Sequence, residues 1–405
     1  TITVNPTPTM VQPSDIEVCN GDEDIVIDFT TANTGGVTTY SWSATGPEIG
    51  LPDSTTDITD STADITFTAN NLDSEPRVVT IEVTPIFTND GVTCTTEDSQ
   101  TFTITVNPEP QITNFTETIC EGDTFTDITP LDNTDGVVPT GTTYTWVIAG
   151  TSSASIEGAS ASTVASATIA GSQLTLVDGT TSPQDLIYTV TPTSADNCVG
   201  ETFTITITVN PTAQVNLPDD ITLCNGVNAI VNFTTSNVGG NTSFNWVVIP
   251  GSDDIGLITD QGSANGDINL AVENSTFDIL SATIEVTPTF ISDNVGCFGT
   301  AKQFTITVIP DVELIEVDDL VLCNGDTLNV DFDTQYTGGT ISYNWTSSID
   351  IGFGLTGDQN SLSFETDIND NPDPITSLIE VTPTYTINDT QCIGTSESFN
   401  VTVNP

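Results

Sequence analysis

The chain has 405 residues, with 56 acidic side chains against only Lys302 and Arg77, no histidine and a net charge of −54. Such a surface repels phosphate backbones and anionic bilayers, which excludes nucleic acid as a partner and direct membrane insertion of this segment. Lacking histidine, it has no ordinary Ser-His or Cys-His nucleophile. Its wealth of Thr, Ile, Val, Asp, Asn and Ser, and its poverty in strong helix formers, predict an all-β protein.

In chain order, the first phrase is Thr1-Ile2-Thr3-Val4-Asn5-Pro6, and it returns four times. Thr101 to Pro108 reads TFTITVNP, Thr202 to Pro211 reads TFTITITVNP, Gln303 to Pro310 reads QFTITVIP, and Ser398 to Pro405 reads SFNVTVNP. Strict apolar/hydroxyl alternation is the period-2 signature of a half-buried strand, and the proline ends it because it cannot donate to a ladder. The closing prolines at 108, 211, 310 and 405 predict four domains, at 7–108, 109–211, 212–310 and 311–405. Residues 1–6 read as the last strand of a preceding repeat, as expected of an excerpt from a longer array.

Within repeat one, Asp15 to Cys19 leads into the turn Asn20-Gly21-Asp22 and the strand Ile25 to Phe29. After Gly35-Gly36 come a strand at Thr39 to Ser43, weaker ones near Asp57–Thr59 and Ala63–Thr68, and a long one from Val78 to Pro85. Seven or so short strands with frequent turn signals predict an antiparallel sandwich. The same order recurs around Trp146, Trp246 and Trp345, with the small-residue stretch Gly150 to Gly171 obscuring the middle of repeat two. Short proline-bearing linkers such as Asn107-Pro108-Glu109-Pro110 predict stiff joints and an extended rod.

Cysteines fall two per repeat: Cys19 and Cys94, Cys120 and Cys198, Cys224 and Cys297, Cys323 and Cys392. Separations of 75, 78, 73 and 69 residues exclude short zinc-type spacings and predict one disulfide inside each domain, in an oxidising compartment. Closing a loop of that size would stabilise each domain by about 4 kcal/mol. Each tryptophan (Trp42, Trp146, Trp246, Trp345) follows its first cysteine by 22 to 26 residues and reads as a core residue beside the disulfide.

No motif requires a cofactor. The acids Asp22, Asp123 and Asp326 follow the first-cysteine turns, and Asp90, Asp196 and Asp389 lie near the second cysteines. Pairing within a repeat would draw these carboxylates together as oxygen ligands for calcium. Carboxylate pairs also run glycoside hydrolysis, but here the acids are scattered over four similar units with none set apart, so no enzyme is expected. Sequons fall at Asn114, Asn232, Asn241, Asn274, Asn344, Asn388 and Asn400.

The tandem pattern of C-[NE]-G-[DV], Trp, a long strand ending in T-P, and T-F-T-I-T-V-N-P resembles the PKD-like, immunoglobulin-like repeats of giant surface proteins of Bacteroidota. Such proteins include the flavobacterial gliding-motility adhesin and related adhesins exported by the type IX system. The W-D-F-G-D-G phrase of standard PKD domains is absent, Trp42 being followed by Ser43-Ala44-Thr45. The resemblance implies a non-catalytic stalk at the outer-membrane-associated cell surface. Its partners would be neighbouring repeats, surface polysaccharide or the gliding and secretion machinery. Asp53-Ser54-Thr55, Asp60-Ser61-Thr62 and Asp326-Thr327-Leu328 resemble the O-glycosylation motif of that phylum. Two alternatives stay open: repeats that themselves bind carbohydrate or protein, and subunits of a self-assembling extracellular fibre.

Overall fold

A computed structural model describes residues 3–52, 65–96, 98–257, 266–336, 339–366 and 369–405. The expected strand at Asp57–Thr59, the triplets at Asp53 and Asp60, Gly338, Thr1 and Ile2 lie outside the described residues, as do positions 63 and 64 of the strand expected to end at Thr68. Among the described residues every regular element is a strand. The chain divides into two compact units, Thr1–Asn210 and Pro211–Pro405. Among the described residues each unit holds two tryptophan-centred cores, around Trp42 and Trp146 in the first and Trp246 and Trp345 in the second.

Repeat one shows the plan. Its main sheet runs in the order first strand Ile16–Cys19, closing strand Gln100–Asn107, long strand Arg77–Asn89, tryptophan strand Val37–Thr45. A two-stranded sheet, Ile25–Ile27 with Ile65–Phe67, covers the other side of the core. Along the closing strand Phe102, Ile104 and Val106 are buried while the intervening threonines face outward, so the alternation read from the sequence is the alternation of the sandwich. Phe29 packs on Tyr40 at 5.3 Å, and Phe233 on Phe244 and Phe332 on Tyr343 repeat the contact at 5.7 Å. In repeat two the small-residue stretch contributes Ser162–Ser166, which pairs with the tryptophan strand at the sheet edge. These are tandem immunoglobulin-like β-sandwiches.

One pairing in each repeat departs from the antiparallel expectation. The first strand runs parallel to the closing strand, with Cys19 opposite Asn107, Cys120 opposite Asn210, Cys224 opposite Ile309 and Cys323 opposite Asn404. A whole domain separates the two strands in sequence, so no hairpin forces them antiparallel. Residues 3–6 form no strand; the other copies of the phrase are held between a first and a long strand.

A side chain just ahead of each first strand anchors this pairing. The backbone N–H groups of Thr103, Thr204, Thr305 and Asn400 donate to Asp15, Asn114, Asp220 and Asp319 at 2.7, 2.8, 2.7 and 2.7 Å. The Asn400 N–H, then its side chain, holds the Asp319 carboxyl below its ordinary value of 3.8. A carboxylate depressed by folding stabilises above its unfolded pKa, and the effect is lost as pH falls through the folded value. Protection of the Asn400 amide against hydrogen exchange is therefore expected to fall below about pH 4 in the wild type. It should persist in Asp319→Asn, which keeps the acceptor without the charge, as Asn114 does in repeat two.

The long strands overrun their prolines. Arg77–Asn89 continues four residues past Pro85, where the sequence predicts an end. On one edge Pro85 falls between two partners: the closing strand pairs as far as Val83, and a return strand, Val92–Thr95, pairs from Ile86. No ladder bond is due from position 85 on that edge, so the missing N–H costs nothing there. Leu280–Ser292 with Val295–Phe298, and Ile375–Ile387 with Thr390–Ile393, repeat the device.

Candidate functional site at the junction between consecutive repeats

That overrun decides the cysteine chemistry. Each first cysteine lies at the trailing end of its domain, beside the closing proline. Each second cysteine lies on or beside the return segment, at the leading end. In repeat one, Arg77 pairs with Val106 and Phe87 with Cys94, so ten residues of one strand, about 33 Å, separate the two cysteine levels. A disulfide needs Cα atoms within about 7 Å. Pairing within a repeat is therefore overturned. Cys19 is bonded to Cys198 and Cys224 to Cys392, each with Cα atoms 5.6 Å apart, so the bonds join successive repeats. Cys120 and Cys297 are disulfide-bonded as well. Cys94 and Cys323, expected in disulfides, are free thiols. The tryptophans are buried in the cores away from the disulfides: Trp42 faces Val83 and Trp345 faces Val381, midway along the long strands.

Around Cys224–Cys392 a small apolar cluster forms from Ile309, Val312, Tyr336, Tyr385 and Cys392. Tyr336 packs edge-on against Phe277 at 5.8 Å, and its hydroxyl donates to the Asp311 carbonyl. Burial, then the charge of Glu313, pushes the Tyr336 phenol upward. The Asn225 side chain donates to the Asp311 carboxylate at 2.7 Å, and Asn388 and Thr390 on the return hairpin donate to Thr222 at 3.3 Å each. Around Cys19–Cys198, Asn20 bonds Glu109, the acid just past the closing proline; burial, then the charge of Asp22, raises the Glu109 carboxyl. Ser74 of repeat one bonds Asp132 of repeat two. In both places the turn asparagine of C-N-G meets the first linker acid.

Within one repeat the acids expected to gather around calcium lie at opposite ends of the sandwich. Asp22, Asp123 and Asp326 accept the backbone N–H of Cys19, Cys120 and Cys323 at 2.9, 3.3 and 2.7 Å, bracing the trailing turns. Asp90 and Asp389 occupy tight return turns at φ of 47° and 63°, and Asp196 precedes Asn197 at φ 65°, all at leading ends. Among the described residues no group of three or more acids or cysteines could hold a metal ion. Pairing within a repeat, the premise on which they were to gather, is not the pairing found.

Two recurrent features escaped the sequence reading. The first is C-x-G: Gly200, Gly299 and Gly394 follow the second cysteines by two and donate to Pro192, Pro288 and Pro383 at 3.1, 2.9 and 2.8 Å. A Cβ there would lie 1.9, 2.0 and 2.2 Å from the carbonyl oxygens of Pro110, Ala213 and Val312 in the incoming linker. Gly299→Ala should therefore lower the stability of repeat three by about 1–3 kcal/mol, read as a drop in its thermal midpoint. The second is a buried asparagine before each of three long strands, Asn71, Asn274 and Asn369. Its side chain donates to the closing strand at Val106, Val308 and Val403, over 2.8, 2.9 and 2.9 Å. Their signal was the shared position, hidden in so Asn-rich a chain. The sequon at Asn274 is thereby occupied, its amide being buried and bonded.

A concavity of about 880 Å³ is lined by the single loop Val247–Leu257. Its acids are committed to backbone donors, Asp253 to Ser281 at 2.7 Å and Asp254 to Gly256 at 3.0 Å.

A family model described as PKD-like domain matches residues 117–213, the second repeat. No curated protein matches the chain. Among solved structures the chain is similar to Drosophila N-cadherin EC1-4, at 12% identity over 97% of this chain and 99% of that one, with a TM-score of 0.29. It is similar also to titin domains I67-I69, at 11% identity, 75% and 98% coverage and a TM-score of 0.36. Three N-terminal domains of the bacteriophage RB49 outer capsid protein Hoc match at 13% identity, 70% and 95% coverage and a TM-score of 0.36.

Proposed function

We propose that these repeats are a non-catalytic, load-bearing stalk in a large surface protein, an adhesin or gliding-motility filament of the Bacteroidota type, holding a distal binding region away from the cell. The observation that carries the reading is the stapling of successive repeats at Cys19–Cys198 and Cys224–Cys392. A staple across a joint adds nothing to a binding face, but it limits how far the joint opens under tension. Disulfides fit an extracellular, oxidising location, and the type IX route and outer-membrane attachment accompany this reading. The high negative charge suits a solvated spacer whose neighbours repel one another. A glycan array probed with the four-repeat protein is expected to give no specific hits. Reproducible hits on one polysaccharide class would replace the stalk by a carbohydrate-binding module.

A further inference from the structure

We propose that Cys94 and Cys323 are the two complementary ends of a disulfide ladder, each built to bond the opposite cysteine of a further repeat of this same type. Cys94 pairs opposite Phe87 on its return strand, as Cys392 pairs opposite Tyr385, and both aromatic rings are buried. Cys323 ends a first strand opposite Asn404, as Cys19 does opposite Asn107, and its N–H donates to Asp326 as that of Cys19 does to Asp22. The counterparts of Cys94 (Cys198 and Cys392) are bonded to a preceding repeat, and those of Cys323 (Cys19 and Cys224) to a following one. Both thiols thus stand at positions whose counterparts are bonded across a joint.

A separate observation marks the partner of Cys94. Asn5 of the opening T-V-N-P phrase is seated on the return hairpin, donating to the carbonyls of Asn89 and Val92 at 3.4 Å each and accepting from the Asn89 side chain at 3.1 Å. Where repeat three meets repeat four, Ile309, at the same place before the closing proline, packs with Tyr385 and Ile387 of the return hairpin. The trailing end of a closing phrase thus lies against the leading hairpin in both places, and the cysteine that accompanies such a phrase is a first cysteine.

The bond forms by thiol–disulfide exchange with a small-molecule disulfide as oxidant. One thiolate attacks the oxidant and releases a thiol, and the second cysteine's thiolate attacks the mixed disulfide and releases the other. Two protein thiols are oxidised and one disulfide is reduced to two thiols.

The inference stands on the repeat geometry and is independent of glycan binding. Its test uses Cys94→Ser and Cys323→Ser, neither of which touches an existing disulfide. Each variant alone and their equimolar mixture are held in oxidised and reduced glutathione. The protein is at about 1 mM, the effective concentration a short linker provides, with about 0.5 M salt to screen the charge. The mixture should yield a covalent dimer near twice 42.6 kDa, at least tenfold above either variant alone. Peptide mapping should join Cys94 to Cys323, and the wild type should form a ladder of multiples. Equal dimerisation of a single variant, or no disulfide dimer in the mixture, would overturn the proposal.

Discussion

Pulled by its two ends, the oxidised protein is expected to extend to about 200 Å and stop, whereas the reduced protein should reach about 1,400 Å, at ~3.3–3.6 Å per residue. The covalent path runs from the first residue to Cys19, across to Cys198, along the chain to Cys224, across to Cys392, and out. Only about 60 residues then bear the load, and everything between Cys19 and Cys198, and between Cys224 and Cys392, is bypassed. Disulfides confined within each repeat would leave more chain in the path and allow about 400 Å. Single-molecule stretching with and without reductant separates the three values, and an oxidised plateau near 400 Å would refute the staples. The same topology changes what the bonds do for stability. A staple between repeats closes a loop of about 90 residues when either neighbour opens alone, because Cys19 or Cys198 and the linker both stay fixed to the folded repeat. Its stabilisation is therefore shared by the two repeats of a joint and belongs to neither alone.

Asn274→Ala should be the most damaging single polar substitution, lowering the opening free energy of repeat three by about 3–4 kcal/mol. Its amide donates to Asp278 and Val308 at 2.8 and 2.9 Å, and its carbonyl accepts the backbone and hydroxyl of Thr276 at 3.0 and 2.7 Å. Alanine strands a carbonyl inside the sandwich and releases the loop that meets the Asn225 turn, where Cys224 ends its strand. Asn274→Asp should cost at least as much, because it sets a carboxylate against two carbonyl oxygens. Native-state hydrogen exchange across residues 280–308 measures both. A loss under about 1 kcal/mol for alanine would show that water replaces the amide.

Much of this fold was legible in the chain. Alternation in TFTITVNP named the closing strands because one face of each is buried and the other wet, and the recurrence of Trp42, Trp146, Trp246 and Trp345 marked four cores. The turns after the first cysteines were written as Asn or Glu followed by Gly21, Gly122, Gly226 and Gly325, all left-handed in the backbone. Pro85 misled because proline ends a strand only where a ladder bond is due, and its position between two partners on the same edge is not visible in a linear pattern. The buried asparagines and the C-x-G glycines were equally silent, their meaning lying in a carbonyl or linker that approaches from elsewhere in the chain.

The sequence by itself determined the strand grammar, the repeat and the cysteine positions, since all three follow from local periodicity and turn chemistry. Only the tertiary structure decided which cysteines meet. Intervals of about 75 residues inside a repeat and of 179 and 168 residues across two are equally regular on paper. Parallel pairing of the first and closing strands carries one sulfur to the trailing end, and the overrun of the long strand carries the other to the leading end. Separated by the length of their own sandwich, the two can bond only to their neighbours.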